Sequence, residues 1–250
     1  MRLLFAGQVP KDSLFPESNE DAFEVAAPQG RIAISDGASE SYDSQTWASL
    51  LVSKFIREPG INREWLNQAL TDYLVQFDKA SLSWSKQASF ERGSFATLLG
   101  LESSPDQNSV KILSIGDSLV VLLEDGQLIE SYPYSHFEEF QSRPKLICTK
   151  TAHNDFLFSD EFLSKNSRTW NLRSNKNPII LCMTDALGEW ALRKELEGFP
   201  PWHLLNSISD LSQLESLVFS ERQSKSMRID DVTFIRVDPL GAKDDELSYP

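Results

Sequence analysis

Five short strings of this chain set acidic residues beside small or polar ones: Asn19-Glu20-Asp21, Asp36-Gly37, Gly116-Asp117-Ser118, Thr184-Asp185 and Asp230-Asp231. Each alone has a plain structural use. Asp-Gly is a turn dipeptide, Gly-Asp-Ser suits a tight hairpin, Asp185 can cap a helix, and Asp230-Asp231 suits a solvated loop. Their shared position at strand ends points further. Carboxylates that converge from strand ends repel one another unless cations lie between them. Hard oxygen ligands without His or Cys at ligand spacing suit Mg²⁺ or Mn²⁺ and argue against zinc. His136, His153 and His203 are scattered and read as surface or packing residues. No Ser/His/Asp or reactive-cysteine arrangement competes for the role of nucleophile.

The elements that must carry these acids follow from hydrophobic periodicity. Alternation predicts strands over 2–8, 21–27 and 31–35, the last ending at Asp36-Gly37. Apolar residues at spacings of three and four predict amphipathic helices over 44–57 and 62–84. Residues 94–101, 109–115, 118–123 and 127–131 read as an antiparallel meander, with Asp125-Gly126 turning the last hairpin. From 132 to 173 the pattern is irregular and broken by Pro133 and Pro144, and predicts a flap with one short helix. A strand over 177–184, helices over 186–196 and 202–219, and a strand over 232–237 complete the series. The order predicts an α+β fold, two packed antiparallel sheets with helices outside. One domain is expected over 1–238, followed by a loose acidic tail at 239–250 carrying Asp244-Asp245-Glu246.

A 250-residue chain with 40% apolar and 24% charged residues has the make-up of a folded globular protein. Its formal charge of −13 sets up a field that repels nucleic acid and anionic membrane, and both are excluded as partners. The same field repels phosphorylated substrates, so work on phosphates needs concentrated positive charge, which bound divalent cations provide. Cys148 and Cys182 are far apart, and Cys182 sits in the apolar run 179–183; buried free thiols are expected and no disulfide. No stretch suits a signal peptide or a membrane span, so a cytoplasmic location is expected.

Six strings, taken in order, resemble the metal-dependent protein phosphatases of type 2C: Asn19-Glu20-Asp21-Ala22, Ile34-Ser35-Asp36-Gly37-Ala38, Arg92-Gly93-Ser94-Phe95-Ala96-Thr97, Ile115-Gly116-Asp117-Ser118, Leu181-Cys182-Met183-Thr184-Asp185 and Asp230-Asp231-Val232-Thr233. The resemblance implies a β-sandwich flanked by helix pairs, with two Mn²⁺ or Mg²⁺ ions at its edge. It implies that Asp36 bridges both ions. The Gly37 carbonyl with Glu20 and Asp21 would serve one, and Asp185 and Asp230 the other. Asp117, assisted by Glu189, matches a position linked to a third ion. Asp36, Asp185 and Asp230 would hold a water between cations about 3.5–4 Å apart, in line with the phosphorus. The implied partner is a protein phosphorylated on serine or threonine, and the implied state a monomer. Three departures suggest a divergent bacterial-type branch. Pro16 stands where the family commonly has a phosphate-binding arginine, leaving Lys11 or Arg92 as substitutes. Ala38 stands where some relatives carry histidine, and Ala186 where glycine is usual. The expected activity is protein serine/threonine phosphatase, and the alternative is a weak or inactive binding module.

Overall fold

A strand that is apolar on both faces must be covered on both faces, and several strands here are. The computed structural model describes residues 1–78 and 82–241. One sheet runs in the order β1 (Arg2–Val9), β12 (Val232–Asp238), β11 (Pro178–Met183), β7 (Leu119–Glu124), β8 (Gln127–Tyr132). The other runs β10 (Ser167–Asn171), β6 (Ser109–Ile115), β5 (Leu98–Ser103), β3 (Arg31–Ser35), β2 (Ala22–Ala26). All of these pairings are antiparallel.

Alternation along each strand assigns its side chains to layers. From β7, Val120 and Leu122 enter the core between the sheets, where they join Ile32 and Ile34 of β3, Cys182 of β11 and Ile235 of β12. Leu119, Val121 and Leu123 face the other way, onto α5 (Asp185–Leu196), α6 (Trp202–Ser207) and α7 (Leu211–Gln223). The second sheet is covered by α1 (Ser44–Arg57) and α2 (Arg63–Leu74), which bury Trp47, Leu51, Trp65 and Leu66. The result is helix, sheet, sheet, helix, the α+β sandwich that the sequence predicts. Truncating a fully buried side chain such as Trp47 to alanine costs about 3–5 kcal/mol.

Several elements differ from expectation for identifiable reasons. The stretch 109–123 is not a continuous meander: β6 lies in one sheet and β7 in the other, so Gly116-Asp117-Ser118 is a crossing between sheets and not a hairpin. Helix α2 ends at Leu74, and a separate α3 (Trp84–Arg92) begins behind Ser83, whose hydroxyl caps it. The predicted helix over 202–219 is two helices, because Asp210 accepts from the Gln213 amide (3.0 Å) and starts a new N-terminus. Residues 132–173 are anchored at several points: β9 (Ile147–Cys148) pairs with β4 (Phe95–Ala96), β10 is an edge strand, and Trp170 is buried. The segment also holds a short helix, α4 (Asp160–Lys165). The two cysteines are free and buried, with burial pushing the Cys182 thiol far up. The acidic tail lies outside the described residues from 242 on.

Candidate active site

Strand alternation and three threonines bring the acids to one edge of the sandwich. Thr97, between β4 and β5, accepts from the Asp36 amide with its hydroxyl (2.8 Å) and donates its own amide to the Asp36 carbonyl (2.9 Å). The same hydroxyl lies 3.1 Å from Ser118 Oγ, tying the end of β3 to the crossing that holds Asp117. Gly116 turns that crossing at φ +102°, and a Cβ there would stand 2.5 Å from Thr97 Cγ2. A Cβ on Gly37 would stand 2.7 Å from the Glu20 carbonyl oxygen, so the backbone beside Asp36 must be bare.

Asp36, Asp117, Asp185 and Asp230 line one cavity of about 150 Å³, closed on one side by Ala38, Pro144 and Leu146. Asp185 is the first residue of α5 and not its cap. The Thr184 hydroxyl, at the cap position, donates instead to Asp21 Oδ2 (3.0 Å), which also accepts from Thr233 Oγ1 (2.8 Å). Asp21 Oδ1 and Asp185 Oδ1 are buried and meet no donor. Burial, against the pull of the Thr233 bond and with the push of Asp231 and Asp230, raises the Asp21 carboxyl to about 7. Asp36 is held well above the ordinary carboxylate range by burial and by the charges of Asp21, Asp117 and Asp230. Burial also raises Asp117, against the opposing charge of Arg228.

Among the described residues three cations reach this edge: Lys11, Arg228 and Arg222, whose Nη2 donates to the Asp230 carbonyl and whose Nη1 donates to the Pro10 carbonyl (2.9 Å). Lys11 Nζ bonds Glu20 Oε2, lies 2.9 Å from Ser39 Oγ and stands 3.7 Å from Asp231. Arg228 Nη2 pairs with Asp185 Oδ2 and stands 3.8 Å from Asp230 Oδ2. Of the two substitutes considered for the missing arginine, Lys11 is therefore at the cluster. Arg92 lies on exposed α3, bonding Ser89. Glu20 faces Lys11, Ser39 and Ser44, and these bonds hold its carboxyl below the ordinary range despite burial. Glu189 pairs with Arg193 (3.0 Å) and does not line the cavity. None of the three histidines does either. Thr97, Thr184 and Thr233 stand within the strings read from the sequence without a role assigned to them, and Arg228 stands outside all of them. The only signal for Arg228 is its place two residues before Asp230.

Among the described residues no three acidic, His or Cys side chains are drawn close enough to hold an ion as they stand. The donor set nevertheless fits a hard divalent cation. It is all oxygen, two of its buried carboxylate oxygens lack donors, and Gly37 leaves its backbone clear.

No family model and no curated protein matches the chain. Solved structures do. It is similar to the photosystem II phosphatase PBCP, at 15% identity over 92% of this chain and 96% of that one, with a TM-score of 0.58. The serine/threonine phosphatase PstP/Ppp of Mycobacterium tuberculosis is similar at 16% identity, over 94% and 98%, with a TM-score of 0.57. Serine/threonine phosphatase Stp1 from Staphylococcus aureus is similar at 18%, over 94% and 96%, with a TM-score of 0.51. At these identities the likeness defines a fold: the chain has the architecture of the type 2C phosphatases, in agreement with the motif order.

Proposed function

We propose that the chain is a metal-dependent phosphomonoester hydrolase that acts on phosphoserine or phosphothreonine in proteins. One observation carries the reading: aspartates from four separate strand ends line a single cavity, with cation-deficient oxygens buried beside it. Asp36 with Asp21 and the Gly37 carbonyl would hold one ion, and Asp36 with Asp185 and Asp230 the other. Asp117 would serve a third, whereas Glu20 and Glu189 would first have to leave Lys11 and Arg193. A bound ion pair supplies a water of lowered pKa and neutralises charge on phosphoryl oxygens.

The chain's own residues do the positioning. Thr97 clamps Asp36 through two backbone bonds, and Thr184 with Thr233 aims Asp21. Ala38 offers no proton at the cavity wall, so the leaving alkoxide takes its proton from solvent. Pro144 and Leu146 add apolar surface to the cavity lining. The partner is a phosphorylated protein in the cytoplasm, and in an active enzyme the 132–173 segment contributes to substrate choice through those two residues.

The test is hydrolysis of an aryl phosphate and of phosphopeptides with Mn²⁺ or Mg²⁺, with and without chelator. Turnover is expected with metal, and background rates in Asp36→Asn and Asp185→Asn. Full turnover in those variants rules the site out. A second reading, a weak or inactive module that binds a phosphorylated partner, is favoured by the Arg228–Asp185 pair and by Pro16. It is distinguished by Mn²⁺ binding in calorimetry without hydrolysis of any phosphopeptide.

A further inference from the structure

The guanidinium of Arg228 lies inside the carboxylate cluster, on the segment between α7 and β12. Asp185 and Asp230 are its ion-pair partners among the described residues, and its charge also acts on Asp36 and Asp117. That side chain is 39% exposed, so no buried packing pins it there. It faces a cavity where four aspartates converge and where Asp185 Oδ1 still lacks a donor. A cluster of like charges without a counterion is destabilising. Arg222 also reaches this half but is bonded to the backbone carbonyls of Asp230 and Pro10, which leaves Arg228 as the guanidinium paired with the carboxylates themselves. Lys11 does the corresponding work at Glu20, on the other side.

We propose that Arg228 is a tethered counterion: it occupies the Asp185–Asp230 half of the cluster in the metal-free protein, and a divalent ion entering there must displace it. The proposal rests on the metal-site reading above. Two consequences follow from it. The metal-free fold is stabilised without an ion. Ions also bind in unequal steps, because entry beside Asp21 and Gly37 displaces no guanidinium while entry beside Asp185 does.

The experiment is Mn²⁺ calorimetry, together with thermal unfolding in chelator, on the wild type, Arg228→Gln, Arg228→Lys and Asp36→Asn. Arg228→Gln is expected to tighten the weaker Mn²⁺ step by about tenfold, equivalent to about 1.4 kcal/mol, and to lower the melting temperature in chelator. Arg228→Lys keeps a charge without the planar fork. It is expected to fall between the two, and it carries the test if Arg228→Gln does not fold. Mn²⁺ binding by Arg228→Gln alone would support the proposal in its strongest form. If wild-type binding is abolished by Asp36→Asn but unchanged or weakened by Arg228→Gln, the proposal is overturned and the metal reading stands. If no variant binds Mn²⁺ in an Asp36-dependent way, both are overturned.

Discussion

Glu20-Asp21 and Asp230-Asp231 are adjacent acidic pairs, one leading into β2 and the other into β12, and the fold uses the two members of each pair differently. Glu20 and Asp231 are both held by donors of the chain itself. Glu20 accepts from Lys11, Ser39 and Ser44, while Asp231 accepts from the backbone amides of Lys11 (2.7 Å) and Glu20 (2.9 Å). Asp21 and Asp230 face the cluster instead, where Asp21 Oδ1 has no donor and Asp230 lies within reach of Arg228. Asp21 and Asp230 are each bonded through one oxygen, to the Thr184 and Thr233 hydroxyls and to the Asp231 amide respectively, and present the other toward the cluster.

The comparison can be broken most severely at Asp231. Asp231→Ala strands the backbone amides of Lys11 and Glu20, while Lys11 Nζ keeps Glu20, and is expected to cost about 2–4 kcal/mol in thermal unfolding. Asp230→Ala, in metal-free protein, should change stability by less than about 1 kcal/mol. Equal effects would erase the distinction.

The pH dependence sharpens the other pair. The folded carboxyl of Asp21 is raised to about 7 from 3.8, so the protonated acid is the form that suits the fold. Its contribution to metal-free stability is greatest below the unfolded value and is lost as pH rises toward about 7, by roughly 4 kcal/mol at most. Unfolding in chelator across that range should show the loss in the wild type and a flatter profile in Asp21→Asn. A flat wild-type profile would mean that Asp21 is already compensated.

Smaller effects fall on the cations. Lys11→Met removes a partly exposed pair and should destabilise by about 1 kcal/mol, read by denaturant titration. Arg92→Ala should stay within about 0.5 kcal/mol and leave phosphopeptide turnover unchanged, since Arg92 reaches only Ser89. A marked loss of turnover there would restore it as a phosphate ligand.

Much of the fold was legible because it is local. The strand over 109–115 and the helix over 44–57 have the bounds that alternation and spacing predict, with Asp43 capping the helix through the Thr46 amide. The breaks at Leu74 and at Ile208 were not legible, since the periodic pattern continues through caps that only the chain's path makes effective. The strands of residues 147–148 and 167–171 were hidden for a similar reason: each is defined by a partner distant in sequence.

The residue types alone placed carboxylates at strand ends and set the net charge of −13, against which any work on phosphate would call for added positive charge. Tertiary structure decided that Asp230 and not Asp231 lines the cavity, that Gly116-Asp117-Ser118 joins two sheets, and that Arg228 pairs with Asp185. Those outcomes depend on contacts between segments that are unrelated in sequence. Periodicity records which face of an element is buried, but not which charged group waits on the other side.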